Sequence, residues 1–89
     1  MKISDIRIRL VEKDESKLKA FASMTIEECF VVHDIKVIEG KDGYFVSMPS
    51  KKTPDGSFKD IVHPIKTEVR QEISALIIEA YENALKEQQ

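Results

Sequence analysis

The sequence predicts an α+β fold in which an antiparallel β-meander sheet is packed by one C-terminal α-helix. Three observations predict it. Residues 2–48 alternate apolar and polar side chains, residues 68–85 repeat apolar side chains with helical spacing, and residues 49–64 separate the two blocks with a polar, basic loop. A sheet with one apolar face needs a second layer to cover it, and the helix supplies that layer. The 89 residues are enough for a single domain, which we place over residues 1–89.

Two strands are predicted from alternation at the start of the chain. Ile6, Ile8 and Leu10 alternate with charged residues, which indicates a half-buried first strand. After a polar turn at residues 12–16, residues 17–26 repeat the alternation and predict the second strand. Phe21 stands on the polar face of that strand and marks a candidate partner surface.

Two further strands complete the predicted meander. Residues 29–39 are rich in β-branched side chains and predict a central strand, buried on both faces near its start. Gly40 and Gly43 bracket a hairpin turn, after which residues 44–48 form a short fourth strand. Because the core of so small a chain is limited and the edges of its sheet invite pairing, we expect a homodimer formed through strand pairing.

The helix prediction depends on one apolar stripe. Thr67 is the expected N-cap and Glu68 suits the first turn, so the helix is expected over residues 68–85. The residues expected to face the sheet are Ile65, Val69, Ile73, Leu76, Ile77, Ala80, Ala84 and Leu85.

Composition and charge limit the classes of function. The chain has 14 basic and 16 acidic residues, so its net charge of −2 does not indicate a nucleic-acid-binding protein. No apolar run approaches the roughly 20 residues of a membrane span, and the first residues lack the apolar block of a signal peptide. We therefore expect a cytoplasmic protein without a membrane partner. The single cysteine, Cys29, fits a reducing compartment and is expected to be a structural core thiol.

One set of residues has the chemistry of metal ligands: Cys29, His33, Asp34 and His63. The set lacks CxxC or HxxxH spacing. In a regular strand Cys29 and His33 would share one face, and Asp34 would point to the other. A core thiol and a hydrogen-bonded strand histidine explain these residues better, so no metal site is predicted.

Ser50, His63 and Asp60 supply the residue types of a hydrolytic triad. No nucleophile elbow or glycine-rich oxyanion loop surrounds any serine, and no Walker or dinucleotide-binding glycine pattern is present. We therefore predict that the protein is not an enzyme, with no catalytic residues, no cofactor and no small-molecule substrate.

The basic loop is the stronger functional signal. Lysines in it lie among turn residues that expose backbone N–H groups, and two more basic residues follow at the start of the helix with i, i+4 spacing. Such a group could hold several phosphates of DNA or RNA, whereas the alternative is that the lysines are simply solvated. The candidate nucleic-acid-binding residues are Lys51, Lys52, Lys59, Lys66 and Arg70.

The middle of the loop predicts local structure. Thr53-Pro54-Asp55-Gly56 places proline and glycine where a β-turn favours them. Phe58 and Ile61 flank this turn and are expected to anchor the loop, with a short extra strand as one way of doing so.

Several long strings of the sequence also carry a family resemblance. They are ISDIRIR at residues 3–9, FVVHDIKVIEG at residues 30–40, MPSKKTPDG at residues 48–56, FKDI at residues 58–61 and HPI at residues 63–65. On these strings the chain resembles the stage V sporulation protein G family, the bacterial septation regulators. The resemblance extends over nearly the whole chain up to about residue 81.

The resemblance implies a small protein that dimerises through its sheet, binds DNA site-selectively and RNA as well, and regulates gene expression and formation of the division septum. It implies nucleic-acid contact through Lys51, Lys52, Lys66 and Arg70, with Lys59 as an addition. Members differ over residues 66–69, a segment that the resemblance links to target choice. Sporulation of the host is not implied, because family members also occur in bacteria that form no spores.

A function of a different class remains open on the residues alone. The chain could be a protein-interaction adaptor that meets division or regulatory partners through an exposed strand edge, with nucleic-acid binding incidental. The net charge favours the adaptor, and the clustered lysines favour the nucleic-acid-binding protein.

Overall fold

Four strands form one antiparallel sheet, in which they follow one another in sequence order. A computed structural model describes residues 2–11 and 17–87 of the chain. The strands are β1 (Ile3–Leu10), β2 (Leu18–Ile26), β3 (Phe30–Gly40) and β4 (Gly43–Ser47). This order confirms the predicted meander, while the polar turn predicted at residues 12–16 lies outside the described residues.

The basic loop is folded as a hairpin of its own. Strand β5 (Ser50–Lys52) pairs antiparallel with β6 (Phe58–Asp60), which gives the loop the extra strand structure that was considered for it. The predicted turn closes the hairpin, since Gly56 N–H donates to the Thr53 carbonyl at 3.0 Å. Gly56 has a φ of 89°, which glycine adopts without strain. We call residues 50–60 the basic arm.

The helix α1 (Thr67–Glu87) covers one face of the four-stranded sheet, which we call the inner face. Alternate residues of β2, here Ala20, Ala22 and Met24, point to that face and are buried, as period-two alternation requires. The described core consists of Ala20, Ala22, Met24, Val32, Ile35, Val37, Met48, Ile73, Ile77 and Tyr81.

The predicted apolar stripe of the helix is confirmed at Ile73 and Ile77, whereas the prediction is wrong at Ile65. Ile73 and Ile77 are buried, and Tyr81 continues the same face although the stripe did not include it. Ile65 is 90% exposed because it precedes the helix. The helix begins one residue earlier than predicted: Arg70 N–H donates to the Lys66 carbonyl at 3.1 Å, so Lys66 rather than Thr67 takes the N-cap position.

The start of β3 is exposed, so its predicted burial on both faces is wrong. Phe30 is 61% exposed and Val31 is also exposed. Strand β4 pairs only with the second half of β3, from Lys36 onward, and the single helix covers one face of the sheet. Cys29 lies in the exposed turn before β3, so the prediction of a core thiol is wrong as well.

The anchoring predicted for the basic arm is also wrong. Phe58 and Ile61 are 69% and 64% exposed, because β5 and β6 pair with each other and not with the four-stranded sheet. The arm therefore presents apolar as well as basic side chains to its surroundings.

Tyr81 gives the fold a predictable response to alkaline pH. Its ring meets the Tyr44 ring edge-on with centroids 5.0 Å apart, and burial together with hydrogen bonding to Tyr44 raises the pKa of Tyr81 to about 12. A tyrosine in the unfolded chain ionises near pH 10. Folding therefore favours the neutral phenol, and its contribution to stability is complete below about pH 10 and is lost as the pH rises through about 12.

We expect the free energy of unfolding, measured with urea, to fall more steeply between about pH 10 and about pH 12 in the native chain than in Tyr81→Phe. The substitution keeps the ring and removes the ionisable group. Identical alkaline profiles for the two proteins would contradict this assignment.

Candidate nucleic-acid interface

Three of the five predicted basic residues lie together on the basic arm. Lys51 and Lys59 are direct cross-strand partners, so their side chains share one face of the hairpin. Lys52 pairs with Phe58 and points to the other face. All three lysines are exposed, and like charges placed opposite each other repel, which favours an anion between them.

The tip of the arm is fixed by a short hydrogen-bond network. Asp55 accepts hydrogen bonds from the Thr53 hydroxyl and from the Ser57 backbone N–H, the latter at 3.0 Å. These bonds hold the pKa of Asp55 below its usual value, and the Thr53 contact is the larger cause. Asp55 therefore accepts these bonds as an ionised carboxylate, and the turn stays formed. The positive charge of the arm comes from its lysines.

The other two predicted residues lie at the start of α1. Lys66 occupies the N-cap position and Arg70 follows one turn later, both exposed. The unsatisfied N–H groups at this end of the helix add partial positive charge. Glu68 is exposed in the same turn and opposes it. The structure thus groups the five residues as three on the arm and two at the helix start, joined by residues 61–65.

The charges of these five residues are not neutralised by ion pairs within residues 2–11 and 17–87. The ion pairs found there join Lys2 to Glu28 at 2.8 Å and Arg7 to Asp5 at 3.3 Å. Residues 51–70 carry five basic and three acidic side chains, an excess of two positive charges in a chain whose net charge is −2. This segment therefore offers a polyanion a favourable local field.

An apolar groove lies beside the helix start. It has a volume of about 440 Å³ and is lined from the inner face of β2 and β3, from residues 62–66 and from the first two turns of α1. Lys66 forms part of its rim, whereas Phe30, Val62 and Ile65 expose apolar surface to it.

The structure locates the residues considered above as metal ligands and as members of a hydrolytic triad. No group of three or more His, Cys, Asp or Glu side chains suited to a metal ion occurs in the described part of the chain. Ser50 faces Asp60 across the arm, but the Nδ1 atom of His63 lies 3.2 Å from the Pro64 carbonyl oxygen. In addition, no helix among the described residues is long and apolar enough to cross a membrane.

His33 and Asp34 lie on the same side of the sheet, which corrects their predicted placement on opposite faces. A β-bulge sets both residues opposite Ser23, and Asp34 has a φ of 61°. Both line a polar cavity on the face of the sheet that points away from the helix, which we call the outer face.

The sequence analysis marked Phe21 as a candidate partner surface but missed the basic residues that lie beside it on this outer face. Arg9, Phe21 and Lys36 lie side by side across three strands. Two signals could have found it: residues 1–20 carry six basic and four acidic groups, and alternation places Arg9 and Phe21 on polar faces of neighbouring strands.

Comparison with known proteins agrees with the family resemblance of the sequence strings described above. Residues 1–83 match the SpoVG family. A relative from Clostridium beijerinckii is 57% identical over 88 residues, covering 99% of this chain and 96% of the relative. A relative from Clostridium perfringens is 58% identical over 82 residues, covering 92% and 90%. One from Staphylococcus saprophyticus is 54% identical over 82 residues, covering 92% and 80%. All three carry the name "Putative septation protein SpoVG".

The chain is a small α+β protein with an exposed basic hairpin and an open sheet face. It belongs to the SpoVG family, on the strength of a match that covers nearly all of its length. This family is not a family of known enzymes.

Proposed function

We propose that the chain is a regulatory protein that binds DNA, and RNA as a second ligand, through phosphate contacts from the basic arm and the helix start. The observation that carries the proposal is the exposed cross-strand pair Lys51 and Lys59, with Lys52 on the same hairpin. Each of these side chains can approach a backbone phosphate without entering a groove, and such contacts position a protein on nucleic acid. The guanidinium group of Arg70 can also hold one phosphate by two hydrogen bonds.

We connect this binding with cell division. The relatives are named as septation proteins, and the chain is 54–58% identical to each of them over at least 92% of its length. The proposed role is control of gene expression that affects formation of the division septum.

Salt dependence tests the binding mode. Each neutralised phosphate of duplex DNA contributes about −0.9 to the slope of log affinity against log salt concentration, so five contacts from one chain predict a slope of about −4 to −5. We expect the affinity for a labelled DNA duplex, measured by fluorescence anisotropy, to follow that slope for each chain that contacts the duplex, so a dimer bound through both chains would give about −9. The proposal would be contradicted if the protein did not bind DNA, or if its affinity for DNA hardly changed with salt concentration.

One observation supports the alternative function as a protein-interaction adaptor: apolar side chains are exposed next to the basic residues. Phe30, Phe58, Ile61 and Ile65 are each more than 60% exposed. Surfaces of this kind commonly mark protein interfaces. A flat salt response combined with capture of a division or regulatory protein would favour this function.

We propose that a second copy of the chain covers part of this apolar surface. Residues 30–35 of β3 pair with β2 on one side, and no strand of the described part pairs with them on the other. A free edge with apolar side chains favours strand addition, and a two-fold symmetric dimer would pair the same edge of both copies. Dimerisation would also double the number of basic arms that one DNA molecule meets.

We expect light scattering to give about twice the chain mass of 10.2 kDa at micromolar concentration. Phe30→Glu should shift the protein towards monomer, because it places a charge at the proposed interface. Phe45→Glu, a substitution of the same type on the outer face, should remain dimeric. A native protein of about 10 kDa under these conditions would rule the dimer out.

A further inference from the structure

The outer face of the four-stranded sheet carries an ordered row of side chains. Arg9 of β1 faces Phe21 of β2, Phe21 faces Lys36 of β3, and Lys36 faces Ser47 of β4. Directly paired residues share a face of the sheet, so one aromatic ring lies between two cations. Neither Arg9 nor Lys36 takes part in an ion pair within residues 2–11 and 17–87.

The row is preorganised around Phe21. The Arg9 guanidinium carbon lies 5.1 Å from the centroid of the Phe21 ring, within the range of a cation–π contact. This contact holds a planar cation and a planar ring together on the sheet surface. Both planes are of the kind on which unpaired nucleic-acid bases stack.

A polar cavity lies at one end of the row. Its volume is about 280 Å³, and Arg7, Ser23, His33 and Asp34 line it together with Arg9 and Phe21. In a regular strand only one of two neighbouring residues would point into this cavity. The β-bulge at Asp34 directs both His33 and Asp34 into it. Asp34 and the Asp5 partner of Arg7 are the acids near it, so the cavity combines donors with acceptors.

A second aromatic side chain lies further along the same face. Phe45 is 50% exposed and faces Ile38, two residues beyond Lys36 on β3. Its ring lies over Gly40, where an added Cβ atom would be 3.2 Å from Phe45 Cδ1. Strand and residue spacings place the backbones of Phe21 and Phe45 roughly 12 Å apart. The face therefore offers two separate aromatic surfaces with basic groups between and beside them.

We propose that this outer face binds single-stranded nucleic acid, with one base stacked on Phe21 and Arg9, another on Phe45, and phosphates held by Lys36 and Arg7. The inference rests on the proposed function, because it takes nucleic acid as the ligand, but it assigns a different surface. Stacking requires bases that are free of a partner strand, so this face selects single strands over duplexes. The outer face points away from the helix and the apolar groove. A dimer formed through the free edge of β3 would therefore leave it open.

The test compares two ligands, an oligouridine strand and a DNA duplex, against two kinds of variant. Phe21→Leu keeps apolar bulk while removing the aromatic plane, and Lys36→Glu reverses a flanking charge. Lys86→Glu, in the last turn of the helix, is the control for charge. Circular dichroism and thermal melting establish that each variant is folded.

We expect Phe21→Leu to weaken oligouridine binding by about tenfold, since stacking of one base is worth that much. Lys36→Glu should weaken it by about tenfold as well, since it replaces a phosphate contact with a repulsive charge. Both variants should leave duplex binding within twofold. The Lys51→Ala/Lys52→Ala variant should mainly weaken duplex binding. Lys86→Glu should change neither.

The remaining outcomes separate the two proposals. If folded Phe21→Leu and Lys36→Glu bind oligouridine as tightly as the native chain does, or if the native chain does not bind it, the outer-face site is wrong, whatever the arm binds. If the native chain binds oligouridine through the outer face but binds no duplex, the outer-face site stands and the proposed role of the arm in DNA binding fails.

Discussion

Replacing Ile77 with alanine should lower the free energy of unfolding by about 2–5 kcal/mol. Ile77 is fully buried in the middle of the helix face that covers the sheet, so the substitution removes buried methyl groups and leaves a cavity between the layers. A small domain has only about 5–15 kcal/mol in total, so much of its stability would be lost. Urea unfolding at neutral pH measures the change.

The matched control is Ile78→Ala at the next position of the same helix. Ile78 is only partly buried and lies outside the described core cluster, so the same change of side chain should have a smaller effect. Equal losses from the two substitutions would show that the face of α1 against the sheet has been assigned wrongly.

Replacing Lys51, Lys52 and Lys59 together with alanine should nearly remove the contribution of the arm to DNA binding. Three lost phosphate contacts per chain flatten the salt slope by about three units and lower the affinity near physiological salt on the order of 100-fold. Specific and random duplexes should be affected alike, because phosphate contacts carry no base information.

The charge-matched control replaces three exposed lysines elsewhere, namely Lys17, Lys41 and Lys86. It removes the same net charge and should change the slope by less than one unit if binding depends on the arm and not on overall charge. If the arm variant is folded and binds with the native affinity and slope, the arm is not the site and the adaptor function becomes the better account.

The layers of the fold could be predicted from the sequence because they depend on periodicity. The alternation at Ile6, Ile8 and Leu10 indicates a strand, whichever strand it pairs with. The spacing of Ile73 and Ile77 indicates a helical face. Short links between strands then fix the order of the meander.

The errors arose where burial depends on how far a neighbouring element extends. Phe30 and Val31 have the composition of a buried strand, but β4 begins pairing only at Lys36 and leaves them uncovered. Ile65 fits the helical spacing although the helix starts after it. A periodic pattern predicts the direction in which a side chain points. It does not predict whether the neighbouring layer extends far enough to cover that side chain.

The candidate site was predictable by residue type and only partly by arrangement. Turn chemistry at Pro54 and Gly56 predicted the tip of the arm, whereas the pairing of Lys51 with Lys59 depends on a register that the sequence does not specify. The outer-face cavity depends on a bulge at Asp34, a non-glycine residue with positive φ, and no local pattern indicated it.

Recovery and sequencing of nucleic acid crosslinked to the protein in living cells tests the central claim most directly. The account predicts that the native chain yields DNA or RNA fragments well above background, and that the Lys51, Lys52 and Lys59 triple alanine variant, expressed at the same level, yields far less DNA. Recovery from the native chain no higher than from a non-binding control protein would contradict the claim that this protein acts by binding nucleic acid.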